Sequence, residues 1–149
     1  MWTAASVLAC ALSVLGRSEA SMPRIELIDV APAEVSAGAE AFVQRDTGTI
    51  FLITSSSVFR DALSRDGCTA SFAIRKLASI LAHEEWHVRN GADEKGAYHQ
   101  QLITLIQLGL PPGSGVYHAV QVSMLRVLDA QKRERKHTSE PPERLLAHR

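Results

Sequence analysis

Two different periods of apolar and polar residues run along this chain. From Ala39 to Thr54, AEAFVQRDTGTIFLIT, two short runs rich in β-branched and aromatic residues flank Asp46-Thr47-Gly48, a turn signal, and so predict a hairpin. Its second arm, Ile50-Phe51-Leu52-Ile53, is apolar without a break, which requires cover on both faces. Upstream, Arg24 to Val30 (RIELIDV) predicts a third strand, and the Pro, Ala and Gly residues between Ala31 and Gly38 a connection. After the hairpin the period becomes helical. Serines 55, 56 and 57 cap a short helix to about Ser64, and Arg65 to Thr69 reads as a loop. The next helix is predicted from about Ala70 to Asn90, with Gly91 as the left-handed residue that ends it. On it Ile74, Leu77, Ala78, Leu81 and Val88 fall on one side, while His83, Glu84 and His87 occupy an adjacent stripe. Asp93 caps a further helix to about Leu108, with Glu94, Tyr98, Gln101, Leu102 and Leu105 on one face. Leu110-Pro111-Pro112-Gly113 breaks the chain, and Ser114 opens a last helix to about Lys132. The remainder, RERKHTSEPPERLLAHR, is charged and proline-bearing and reads as loose, and no internal repeat is visible.

At 149 residues the chain has room for one ordinary domain, and this order of elements predicts an α+β fold: a short sheet or hairpin followed by a helical part. The first twenty residues are set apart from it. Trp2 to Gly16 is an apolar run followed by Ser18-Glu19-Ala20, small residues at the positions a signal peptidase reads, which predicts a signal peptide cleaved after Ala20 and a secreted or periplasmic protein. The α-amino group is the only positive charge before the run, and the run is shorter than the roughly 20 apolar residues of a spanning helix, so no stable membrane insertion is expected after cleavage. The boundaries that follow are a leader over 1–20, a domain over 21–133 and a charged tail over 134–149. Loss of Cys10 with the leader leaves Cys68 alone, without a disulfide. The formal net charge is zero, from 16 basic and 16 acidic residues, which disfavours nucleic acid as a partner.

The chemistry concentrates in His83-Glu84-Glu85-Trp86-His87, an H-E-x-x-H pattern inside the longest predicted helix. Residues four apart project from one face a turn apart, so both imidazoles can reach one ion, and Zn²⁺ suits such ligands. Glu84, about 100° round the helix from His83, is placed to take a proton from water at that ion. Two histidines need a third protein ligand. Glu94, seven residues after His87 and beyond the reversal at Gly91, is the preferred one, because its helical face continues into Tyr98, Leu102 and Leu105. Asp93 competes with it but is better used as a cap, and His99 lies about 140° away. Tyr98 is a candidate donor to a developing oxyanion. Gln100 and Gln101 read as surface or interhelical residues, with support of a ligand as the lesser alternative. Trp86 reads as packing and Glu85 as solvated surface. His118, His137 and His148 lack a partner at ligand spacing and read as surface.

His83-Glu84-x-x-His87 followed by Glu94 resembles the zincin metallopeptidases, and among them the gluzincins, whose third ligand is a glutamate on the following helix. The spacer of six residues is shorter than in many gluzincins and closer to the Gly-containing turn of the metzincins. The resemblance implies a small zincin-like domain with Zn²⁺ as cofactor, Glu84 as general base, a peptide or protein substrate, and an edge strand holding that substrate extended. A non-catalytic zinc-binding or helical interaction domain is the competing expectation.

Overall fold

The computed structural model describes residues 1–137. Eight main elements follow one another: α1 (Ala4–Leu15), β1 (Ile25–Ile28), β2 (Ala41–Gln44), β3 (Thr49–Ile53), α2 (Ser57–Ser64), α3 (Phe72–Asn90), α4 (Glu94–Gln107) and α5 (Gly115–His137). The α+β expectation is met: a three-stranded sheet precedes a run of helices.

The hairpin forms where expected, with β2 antiparallel to β3 in the register Ala41↔Leu52 and Val43↔Ile50. β1 joins the other side of β3 in parallel, Ile25 opposite Ile50, so β3 is central and β2 has a free edge. Ile53 N–H donates to the Glu40 carbonyl at 3.1 Å. Hydrogen-bonded pairs alternate along an antiparallel ladder, so Ala41 and Val43 turn their backbone groups toward that free edge. The central position of β3 explains its composition: Ile50 and Leu52 are fully buried and Ile53 nearly so.

α3 lies across the sheet and makes the structural axis. Ser71 caps it, its Oγ accepting from Ile74 N–H at 3.2 Å, and Ile74, Leu77, Ala78 and Leu81 are buried as the periodicity requires, while Val88 is only partly so. Gly91 ends the helix, though with φ 102° and ψ −157°, outside the left-handed helical region and open to glycine alone. Asp93 caps α4 through Lys95 N–H at 3.2 Å. α5 packs on α4 around Leu102, Leu105, Leu110 and Val120, and runs five residues beyond the expected Lys132, so the first part of the supposed tail, from Arg133, is helical. The rest of that tail, His148 included, lies outside the described residues.

The largest departure is at the N-terminus. Helix α1 packs into the same core as the sheet and α3: Val7, Leu8, Ala11 and Leu12 are buried with Ile50, Leu52, Phe59 and Leu77. Cys10 is disulfide-bonded to Cys68, in the loop that leads into α3, so the expectation of an unpaired Cys68 is corrected. Among the described residues no helix is long and apolar enough to cross a membrane.

Candidate metal centre

One turn separates His83 and His87 on α3, and the chain reversal at Gly91 brings the first residue of α4 back over them. Glu94 Oε1 lies 3.2 Å from His83 Nε2 and 3.0 Å from His87 Nε2. The far nitrogens are both engaged: His83 Nδ1 is 2.9 Å from Gln101 Oε1, and His87 Nδ1 is 2.8 Å from the Gly91 carbonyl. A carbonyl oxygen can only accept, so both Nδ1 atoms carry the proton. Neutral rings then aim two Nε2 lone pairs at a carboxylate oxygen. Such a convergence is repulsive unless the rings are protonated or a cation lies among the three atoms.

The donor set suits a cation. Two ligand atoms on a tetrahedral zinc sit about 3.4 Å apart, as bond lengths near 2.1 Å require, so the separations of 3.0 and 3.2 Å need to widen by only a few tenths of an ångström. Ligand atoms of His83, Glu84 and His87 also lie within 4.8 Å of one another, a group able to hold a metal ion. The centre is thus two imidazoles with two carboxylates within reach.

The two carboxylates differ in environment. Burial drives the Glu84 pKa up, and the Glu94 charge adds to this, while His83 and His87 act in the opposite sense and do not overcome it. Burial pushes Glu94 in the same direction, but the imidazoles of His83 and His87, which donate to it from Nε2 only when protonated, prevail and bring its pKa to about 2. Glu94 is therefore held ionised, while Glu84 holds a proton more tightly than an ordinary carboxylate does. For His87, burial opposes the charged form, but the bonds to Glu94 and to Gly91 outweigh it and the pKa is raised.

Tyr98, one turn after Glu94, stands edge-on to His83 with ring centroids 4.5 Å apart. Burial first, then the charges of Glu94, Glu40 and Glu84, push its hydroxyl up to about 12, so it stays protonated as a donor. Of the competing ligands, Asp93 is exposed and occupied as a cap, and His99 is exposed. His118 is exposed as expected, and the His137 side chain is outside the described residues.

One residue is placed differently from the sequence reading. Glu85, expected on solvated surface, is buried, and its Oε2 accepts from Arg17 at 2.8 Å and from Arg89 at 2.9 and 3.1 Å. Gln101 is buried and makes the interhelical contact expected of it, from α4 to Ser79 and His83 of α3, and its bond to His83 fits the lesser alternative as well. The signal for Gln101 was present in its place on the inward face of α4; for Glu85 the i,i+4 pairing with Arg89 was readable, but Arg17, its other partner, is 68 residues away. Trp86 packs as expected, its ring lying against Gly96 of α4.

No family model, curated protein or solved structure matches the chain.

Proposed function

We propose that this chain is a zinc-dependent peptidase, with His83, His87 and Glu94 as metal ligands and Glu84 as general base. The observation that carries the reading is the convergence of two Nδ1-anchored imidazoles on Glu94 Oε1 at 3.0 and 3.2 Å, which leaves a ligand set of the open, catalytic kind. Zinc, when bound there, supplies the Lewis acidity that makes water a nucleophile near neutral pH.

The rest falls to the chain's own side chains. Glu84 takes the proton from the attacking water and returns it to the leaving amine; burial holds its affinity for that proton above that of an ordinary carboxylate. Tyr98 donates to the oxygen that becomes negative as the carbonyl turns tetrahedral. The edge of β2, where the backbone groups of Ala41 and Val43 are not paired with β3, supports a peptide held extended by backbone pairing. α3 packs against β2, and its Lys76 pairs with Glu40 at 3.1 Å just before that strand, so edge and metal helix are fixed together. The disulfide supports an oxidising compartment, secreted or periplasmic, without relying on a leader.

A second reading, a metal-binding domain without turnover, is favoured by one observation. A cleft of about 850 Å³, lined by residues that include Ser57, Phe72 and Lys76, and another of about 400 Å³ beside Ala31 to Ala39 both avoid the histidines. The convergence of ionised ligand and buried base outweighs this, because an extended peptide on a sheet edge needs no deep cavity.

Glu84→Gln separates the two. It keeps shape and ligands while removing the base, so zinc content stays and cleavage of a diverse peptide library, read by mass spectrometry, falls by about 10²–10⁴-fold. Equal cleavage by both proteins, or none by the wild type at full zinc occupancy, rules out the peptidase reading.

A further inference from the structure

Behind His83 runs a short chain of hydrogen bonds whose direction is set from its far end. Ser79, fully buried on α3 one turn before His83, has its Oγ 2.6 Å from the Lys76 carbonyl. That carbonyl has no proton to give, so the hydroxyl donates to it and presents its lone pairs elsewhere. Gln101 Nε2 lies 3.2 Å from the same Oγ and donates to it. The amide orientation is thereby fixed: Gln101 Oε1 faces the other way, 2.9 Å from His83 Nδ1, and can only accept.

We propose that Ser79 and Gln101 are positioning residues that select the His83 tautomer, holding the proton on Nδ1 and the lone pair on Nε2, where the metal is to bind. The inference rests on His83 being a ligand and explains what makes it a competent one. His87 obtains the same tautomer from a backbone carbonyl, that of Gly91, which cannot reverse. His83 depends on a side-chain amide, and an amide can turn over. With the Ser79 hydroxyl removed, nothing retains the amide nitrogen on that side. A flipped Gln101 presents N–H to Nδ1 and moves the ring proton to Nε2, which then donates to Glu94 and cannot bind a cation. Both polar residues are almost completely enclosed, Ser79 at 0% and Gln101 at 4% exposure, so water is a poor substitute for either partner.

The design of the test follows from what a carboxylate can do in place of the amide. Gln101→Glu puts an obligate acceptor against Nδ1, so the tautomer no longer depends on Ser79. Gln101→Met keeps the length and removes the acceptor. Zinc affinity, measured by competition with a chelator, is expected to fall about 10–100-fold in Gln101→Met and in Ser79→Ala, the range for loss of a ligand's supporting partner. It should stay within a few-fold of wild type in Gln101→Glu. The double variant Ser79→Ala/Gln101→Glu should match Gln101→Glu alone, because the anchor has become redundant. A residue that merely fills space shows no such rescue.

A second readout needs no zinc. In the metal-free wild type, ¹⁵N spectra of the neutral His83 ring should show a protonated Nδ1 and an unprotonated Nε2, and Ser79→Ala should shift that balance toward protonated Nε2. If Gln101→Met fails to fold in thermal unfolding, this readout and Ser79→Ala still decide. The proposal is overturned by protonated Nε2 in the neutral wild-type ring, by unchanged zinc affinity in Ser79→Ala, or by Ser79→Ala costing as much with glutamate at 101 as without it. Failure of the metal reading itself is distinguishable: wild type then binds no zinc, whatever the ¹⁵N spectrum shows.

Discussion

Glu94 and Asp93 are neighbours with the same chemistry and opposite duties. Asp93 accepts from Lys95 N–H and stays exposed, whereas Glu94 turns inward to both imidazoles. Glu94→Ala should therefore cost tight zinc binding, while Asp93→Ala should retain zinc and lose about 1 kcal/mol of stability as a missing cap. Chelator competition and thermal unfolding on both variants check this; loss of zinc in Asp93→Ala alone would reverse the assignment. Tyr98→Phe removes only the hydroxyl. Its expected signature is a drop in kcat of tenfold or more with zinc content unchanged, as for one donor to an oxyanion; unchanged kcat removes Tyr98 from the chemistry. The division between Asp93 and Glu94 was legible beforehand because helical periodicity distinguishes adjacent positions. The roles of Gln101 and Glu85 were less so, because a buried polar residue is recognised by its partners, and His83 for Gln101 and Arg17 for Glu85 come from other elements.

Helix α1 shows what periodicity reveals when the whole run is read. Its exposed positions Ala5, Ala9 and Ser13 recur every four residues as small side chains, while Val7, Leu8, Ala11 and Leu12 are buried, the pattern of a packed helix. Trp2 Nε1 donates to the Ala62 carbonyl at 3.3 Å, Cys10 is bonded to Cys68, and Arg17 reaches Glu85 on the motif helix. In the full chain α1 thus braces the back of α3. A chain starting at Ser21 is expected to unfold at lower temperature than the full chain, since Cys10, Arg17 and four core residues leave together; equal midpoints show α1 to be dispensable. Closing a loop of 58 residues contributes up to about 4 kcal/mol through the unfolded state. A dithiol reductant should lower the midpoint accordingly and free two thiols, whereas two free thiols before reduction contradict the pairing. The α3–α4 contact offers another check. A Cβ on Gly96 overlaps the Trp86 ring, so Gly96→Ala should force the helices apart at a cost of about 1–3 kcal/mol. Zinc affinity should fall with it, because the same contact brings Glu94 to the histidines.

For the whole molecule, the order strand, hairpin and then four helices was readable from the change of period at Ser55, and the ends of those helices fell within five residues of the expected ones. The parallel pairing of β1 with β3 and the closure of the core by α1 were not, since both join segments far apart in sequence and leave no local mark. The candidate metal site was legible to the extent that it is local: a motif on one helix and a carboxylate just past a glycine. The proposed function rests on the cluster of His83, His87 and Glu94. The direct test is therefore elemental analysis of the purified full chain, wild type beside His83→Ala, after removal of loosely held metal. One zinc per wild-type chain and none in His83→Ala is the predicted result. Equal zinc in the two proteins, or none in either, contradicts the site on which everything else depends.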